Sequence, residues 1–181
     1  MGGIMSIILQ GSTSGSITLQ EPAVAGTTVL TLPAVSGNVL TDTSPKAGNV
    51  LQVVHTGSTT QFSTSSSSFV TTGLARSITP TSSSSKILVI FSGNTFTSTA
   101  AANCVGAIYR GASNIMESII VYSNASGAST MGTSCSLVYL DSPATTSSTT
   151  YTIYTKTDAG NIIFSQNNNS YYGITLMEIA G

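Results

Sequence analysis

Lys86-Ile87-Leu88-Val89-Ile90-Phe91 stands between the serine run Ser82 to Ser85 and the pair Ser92-Gly93. A short apolar run rich in β-branched residues and closed at both ends by turn formers reads as a strand. It does not alternate, so both of its faces are expected to be covered. Leu137-Val138-Tyr139-Leu140 repeats the pattern. In a small sandwich one face of such a strand meets the core, and the second cover is most simply a neighbouring subunit.

Working outward, the same alternation of short apolar segments with Ser, Thr, Asn and Gly clusters runs from Gly48 to the end. Strands are predicted at 50–55, 69–78, 86–92, 104–110, 115–122, 135–140, 150–156, 162–165 and 173–179. That number is close to the complement of a jelly roll. Asp141-Ser142-Pro143, Asp158-Ala159-Gly160-Asn161 and Arg110-Gly111-Ala112-Ser113-Asn114 supply turns. The final strand alternates, placing Ile174, Leu176 and Glu178 on one side and Thr175, Met177 and Ile179 on the other.

The first quarter of the chain is different. Gly15, Gly26, Gly37 and Gly48 fall eleven residues apart, each preceded by Ser or Ala, and Pro22 and Pro33 keep the same step. Proline holds φ near −65° and glycine permits positive φ, so each unit reads as a strand, a turn and a return. One unit buries about three apolar side chains, at ~1.5 to 3 kcal/mol each, against ordering of ~1 to 2 kcal/mol for every residue. Such units must stack or associate. The expected organisation is therefore an amino-terminal repeat stalk or attachment arm over 1–47 and a β-sandwich body over 48–181.

Composition agrees with an all-β class. The 181 residues carry 6% charged and 40% hydrophobic side chains at a net charge of −1, and Ser with Thr make up about a third. Disordered chains combine low hydrophobicity with high net charge, the opposite of this balance. The helix formers Glu, Lys and Arg are scarce. Lys46, Arg76, Lys86, Arg110 and Lys156 are dispersed, so no cluster neutralises a row of phosphates and nucleic-acid binding is not expected. No run reaches the roughly 18 to 20 apolar residues of a membrane span, and the opening residues lack a signal-peptide pattern. Synthesis in a cytoplasm is expected, where Cys104 and Cys135 are free, buried thiols.

Catalytic and metal chemistry are not expected. His55 is the single histidine, read as a strand-end residue, and the two cysteines are far apart, which leaves no zinc pattern. Glu21, Asp42, Glu117, Asp141, Asp158 and Glu178 are scattered singly, and 158–161 reads as a hairpin turn rather than a calcium loop. No cofactor is implied. The segment with binding character is Gln166-Asn167-Asn168-Asn169-Ser170-Tyr171-Tyr172. Tyr supplies rigid contact area and amides suit sugar hydroxyls, so Asn167, Asn168, Asn169, Tyr171 and Tyr172 are candidate ligand-binding residues, with a surface glycan as the ligand. The alternative is a polar loop leading into a strand that begins with Tyr.

Two stretches resemble tail-fibre and virion-associated proteins of tailed phages, especially those of marine bacteria and cyanobacteria. Gly15 to Pro33 resembles the repeat that such proteins carry ahead of their distal domains. Phe69 to Leu74, Ser77 to Val89, Leu140 to Ala144 and Leu176 to Ile179 are similar to the landmarks of a phage head domain, itself similar to the trimeric jelly rolls of the tumour-necrosis-factor and complement type. The resemblance implies a homotrimeric virion structural protein, assembled in the host cytoplasm. Its amino-terminal segment would face other virion proteins of the tail, baseplate or capsid, and its jelly roll would be distal. A fibre or receptor-binding knob is the leading expectation. The front repeat begins almost at once, without the longer adaptor usual in fibres, so a capsid decoration protein or head fibre is the alternative.

Overall fold

The computed structural model describes residues 6–10, 12–20, 46–97, 102–122, 131–168 and 170–181. The chain divides into two units, Met1–Val39 and Leu40–Gly181. In the first, β1 (Ser6–Gln10) and β2 (Ser16–Gln20) form an antiparallel hairpin. Gly15, which ends its turn, has φ 78°, and Gly48 of the second unit has φ 89°. Side-chain-bearing residues rarely adopt that region, which accounts for glycine at both repeat positions. Gly26, Gly37, Pro22 and Pro33 lie outside the described residues.

The second unit is a sandwich of two antiparallel sheets, and no α-helix occurs among the described residues. Its strands are β3 (Val50–Ser58), β4 (Phe62–Thr64), β5 (Val70–Ile78), β6 (Lys86–Thr97), β7 (Asn103–Arg110), β8 (Ser113–Tyr122), β9 (Met131–Asp141), β10 (Thr149–Thr157), β11 (Ile162–Phe164) and β12 (Tyr172–Ile179). One sheet runs β5-β10-β7-β8. The other runs β3-β12-β6, continues through β11 and β4, and carries β9 along the second edge of β6. Because β11 and β12 line up beside the same long β6, they act as one interrupted strand, as do β3 and β4. The order is then four strands facing four, with neighbours drawn from alternate ends of the chain, which is the jelly roll expected from the sequence.

Every predicted strand is present, with its ends moved by hydrogen bonding that local pattern does not reveal. β6 runs on past Ser92 to Thr97 because β9 pairs with it from Ile87 to Thr97. β3 runs to Ser58, so His55 sits inside a strand rather than at its end. β4 was not expected: three residues, Phe62-Ser63-Thr64, carry too little pattern by themselves, and pairing with β11 makes them a strand.

Inward residues come from alternate positions, as pleating requires. Ile87, Val89 and Phe91 of β6, Ile174 and Leu176 of β12, and Leu137 of β9 face Leu74, Ile108, Tyr151 and Ile153 of the other sheet in one buried cluster. Cys104 and Cys135 are free and buried in it. Burial pushes the Cys135 thiol up to about 11 and raises Cys104 as well, so neither is a ready nucleophile near neutral pH.

Two polar devices are sealed at the margins of this core. Asp141, at the end of β9, accepts from Arg110 Nη1 at 3.0 and 2.9 Å and from the Tyr151 hydroxyl at 2.6 Å, joining the two sheets. Burial and the neighbouring Asp141 carboxylate push the Tyr151 phenol far above its ordinary range. Glu178, fully buried on the same side as Ile174 and Leu176, accepts from Gln52 Nε2 at 2.6 Å and from the Thr81 amide and hydroxyl, each at 2.7 Å. Burial alone would raise its pKa. The hydrogen bonds from Gln52 and Thr81 outweigh burial and hold Glu178 below the ordinary carboxylate range.

Candidate functional site

The interruption between β11 and β12 places the residues singled out in the sequence. Phe164 pairs with Thr95 and Tyr172 with Gly93, so the chain from 165 to 171 leaves the sheet against a single β6 residue, Asn94. Ser165 turns it outward at φ 55°, its hydroxyl donating to the Thr59 carbonyl at 2.5 Å. A single 3-10 turn, Gln166–Asn168, follows.

The candidate residues then part company. Tyr172 is 4% exposed, its ring 5.6 Å from that of Phe164 and its hydroxyl donating to the Thr60 carbonyl at 3.1 Å. It is a core residue, because the alternation of β12 turns it inward, and little of its surface reaches solvent. Asn168 adopts φ 57° and accepts the Gln61 amide through Oδ1 at 2.6 Å, which ties the excursion to the β3–β4 connection. The Asn167 backbone lies in the turn, whereas its side chain and Asn169 lie outside the described residues.

Tyr171 is the exposed member, at 53%, and it lies on the outer face of the six-stranded sheet. Its hydroxyl is hydrogen-bonded to His55 Nε2, the two rings are stacked at 5.9 Å, and His55 Nδ1 meets Thr175 Oγ1 at 2.8 Å. Gly57 makes room for the ring: a Cβ there would sit 2.0 Å from the Tyr171 hydroxyl oxygen. Gly57→Ala is therefore expected to push Tyr171 off His55 at a cost of about 1 kcal/mol, since an exposed side chain swings away freely. NMR signals of the His55 ring should shift in Gly57→Ala as they do in Tyr171→Phe. Unchanged ring signals in both would refute the contact.

Around this latch the same face is aliphatic. Register places Val53, Met177, Leu88 and Leu140 in one row across β3, β12, β6 and β9, and His55, Thr175, Ile90 and Val138 in the next. Val138 is 56% and Leu140 49% exposed, while Leu88 and Ile90 are half-buried. The second cover expected for the continuous runs of β6 and β9 is therefore not supplied by the described residues of the chain itself. Between the free edges of β3 and β5 opens a cleft of about 310 Å³ whose walls include Thr56, Ser58, Thr60, Phe62, Leu74 and Tyr172, with no charged side chain.

Chemically, this face offers hydrogen-bonding and apolar contact. His55 meets two hydroxyls and no carboxylate, and no group of three His, Cys, Asp or Glu that could hold a metal ion occurs among the described residues. Asp158, in the turn after β10, is occupied by the Asn103 amide and side chain, both at 2.6 Å, which lower its pKa.

No family model matches the chain. No curated protein matches it either. Among solved structures, the chain is similar to that of the infectious bursal disease virus Gt strain, at 14% identity and a TM-score of 0.42, covering 98% of this chain and 42% of that one. It is also similar to the infectious bursal disease virus VP2 subviral particle, at 12% identity and a TM-score of 0.40, over 82% of this chain and 46% of that one. The chain thus spans less than half the length of these structures.

Proposed function

We propose that the chain is a virion structural protein whose bodies associate as a homotrimer, forming a fibre or knob that attaches to a host surface. Its amino-terminal repeat segment joins it to other virion proteins. The observation that carries this reading is the aliphatic outer face of the six-stranded sheet, with Val53, Val138 and Leu140 exposed in a chain only 6% charged. Exposed apolar patches of that kind mark association surfaces. The resemblance of the repeat and of the body landmarks to phage fibre proteins supports the virion setting. The attachment surface is Tyr171 with the polar turn beside it, at the β3 side of that face and three strands from Val138 and Leu140 of β9, and the role is contact, without catalysis or cofactor.

Sedimentation equilibrium of the purified chain is expected to give three times the 18.4 kDa subunit mass. Val138→Glu with Leu140→Glu should reduce it to a folded monomer, because two carboxylates on the buried face of an interface are left unpaired. A wild-type monomer at micromolar concentration would overturn the trimer. Imaging of virions carrying the labelled protein tests its place. Label at the tail supports the fibre, whereas label spread over the head replaces it with a decoration protein or head fibre.

A further inference from the structure

The outer face of the other sheet, β5-β10-β7-β8, differs in chemistry. Tyr154 of β10 and Tyr109 of β7 stack at 4.0 Å with planes 28° apart, Phe69 meets Tyr109 edge-on at 6.0 Å, and Lys156 Nζ stands 4.3 Å over the Phe69 ring. Tyr154 opposes Thr71 on one side and Ala107 on the other, and Ala107 in turn opposes Glu117. Although Ala107 lies on this outer face, it is fully buried. The result is a braced aromatic ladder flanked by hydroxyls and ended by a cation, whereas the other sheet presents aliphatic side chains.

We propose that this ladder is a binding platform for an acidic glycan, a polymer of uronic-acid sugars. Tyr154 is half-buried, with Tyr109 stacked on one face and no second ring on the other among the described residues; that second face is the one proposed to take a sugar ring, and Tyr109 braces it before any ligand arrives. Lys156 follows two residues later on the same face, about 7 Å along the strand, within reach of the carboxylate of a sugar seated on Tyr154. Lys156 forms no ion pair among the described residues, so the cation is left for a ligand anion. Charge complementarity at the Lys156 end selects the acidic sugar, since the carboxylate on this face, Glu117, lies two strands from Tyr154 and accepts from Asn114 Nδ2 at 2.9 Å. Thr71 and Thr152, exposed or half-buried beside the rings, suit its hydroxyls. The inference rests on surface attachment in the proposed function, but it names a different site, and purified protein tests it without virions.

The test is calorimetric titration of the full chain with polygalacturonate oligomers and with dextran as the neutral polymer. Wild type is expected to bind polygalacturonate in the micromolar to millimolar range, more tightly than dextran. Tyr154→Ala should weaken it about tenfold, the loss of one stacked ring. Lys156→Gln, a surface change that leaves the fold intact, should abolish the preference for the acidic polymer and the salt dependence with it. No binding of polygalacturonate by wild type at millimolar concentration overturns the proposal. So do equal affinities for the two polymers, or an unchanged preference in Lys156→Gln. Failure here would leave trimer formation and virion location untouched.

Discussion

Asp141→Asn is expected to destabilise the body by about 3 kcal/mol, the lower end of what loss of one partner costs a buried ion pair. The lower end applies because the Arg110 side chain is 35% exposed and recovers some hydration, while Asp141 itself is 7% exposed. Tyr151 recovers nothing: its ring is fully buried, and without the carboxylate its hydroxyl faces an amide that competes as a donor. For a chain of this length the melting midpoint should fall by roughly 6 to 12 °C. Tyr151→Phe alone should cost about 1 kcal/mol, and the double variant less than the sum, because the two residues share one bond. Strict additivity in denaturant titrations would show that the bond between them carries no coupling energy.

Glu178→Gln is the second large effect, about 2 kcal/mol at neutral pH. Three donors, Gln52 Nε2 and the Thr81 amide and hydroxyl, converge on the carboxylate, and a Gln side chain presents an NH₂ to at least one of them. The pH dependence has a definite sign. The folded-state pKa of Glu178 lies below its unfolded value of about 4.3, so the group adds stability that is fully present above that value. This contribution is lost as pH falls through the folded pKa. The difference in unfolding free energy between wild type and Glu178→Gln should therefore be constant from pH 7 to about pH 5 and shrink below pH 4. A difference that stays constant down to pH 3 would refute the assignment. Taking the difference removes other carboxylates, Asp158 included, from the comparison.

Much of the fold was legible because pleating writes itself into the chain as alternation. Ile174, Leu176 and Glu178 read as one side of a strand, and all three are buried on one face, the carboxylate among them. The continuous runs 86–91 and 137–140 read as strands needing two covers. They pair with each other, with Leu88 beside Leu140 and Ile90 beside Val138. The candidate site was only half legible. Tyr171 and Tyr172 look equivalent in sequence, yet β12 begins at Tyr172 and turns it inward while Tyr171, just before the strand, lies on the outer face, and only the placement of the sheet says which face is wet. His55 gave no sign of its partners, since Thr175 and Tyr171 are more than a hundred residues away.

Sequence alone determined the class, the strands of the body other than β4, and the left-handed Gly15 and Gly48, since all of these follow from local sterics and a two-residue period. Tertiary structure decided which strands are neighbours, and with that the meeting of Arg110, Asp141 and Tyr151, the ladder of Tyr154, Tyr109 and Phe69, and the choice of aliphatic face. The physical reason is that strand pairing in a jelly roll joins segments from distant parts of the chain through interchangeable backbone hydrogen bonds. Many pairings satisfy the same local pattern, and only the joint packing of all the side chains selects one.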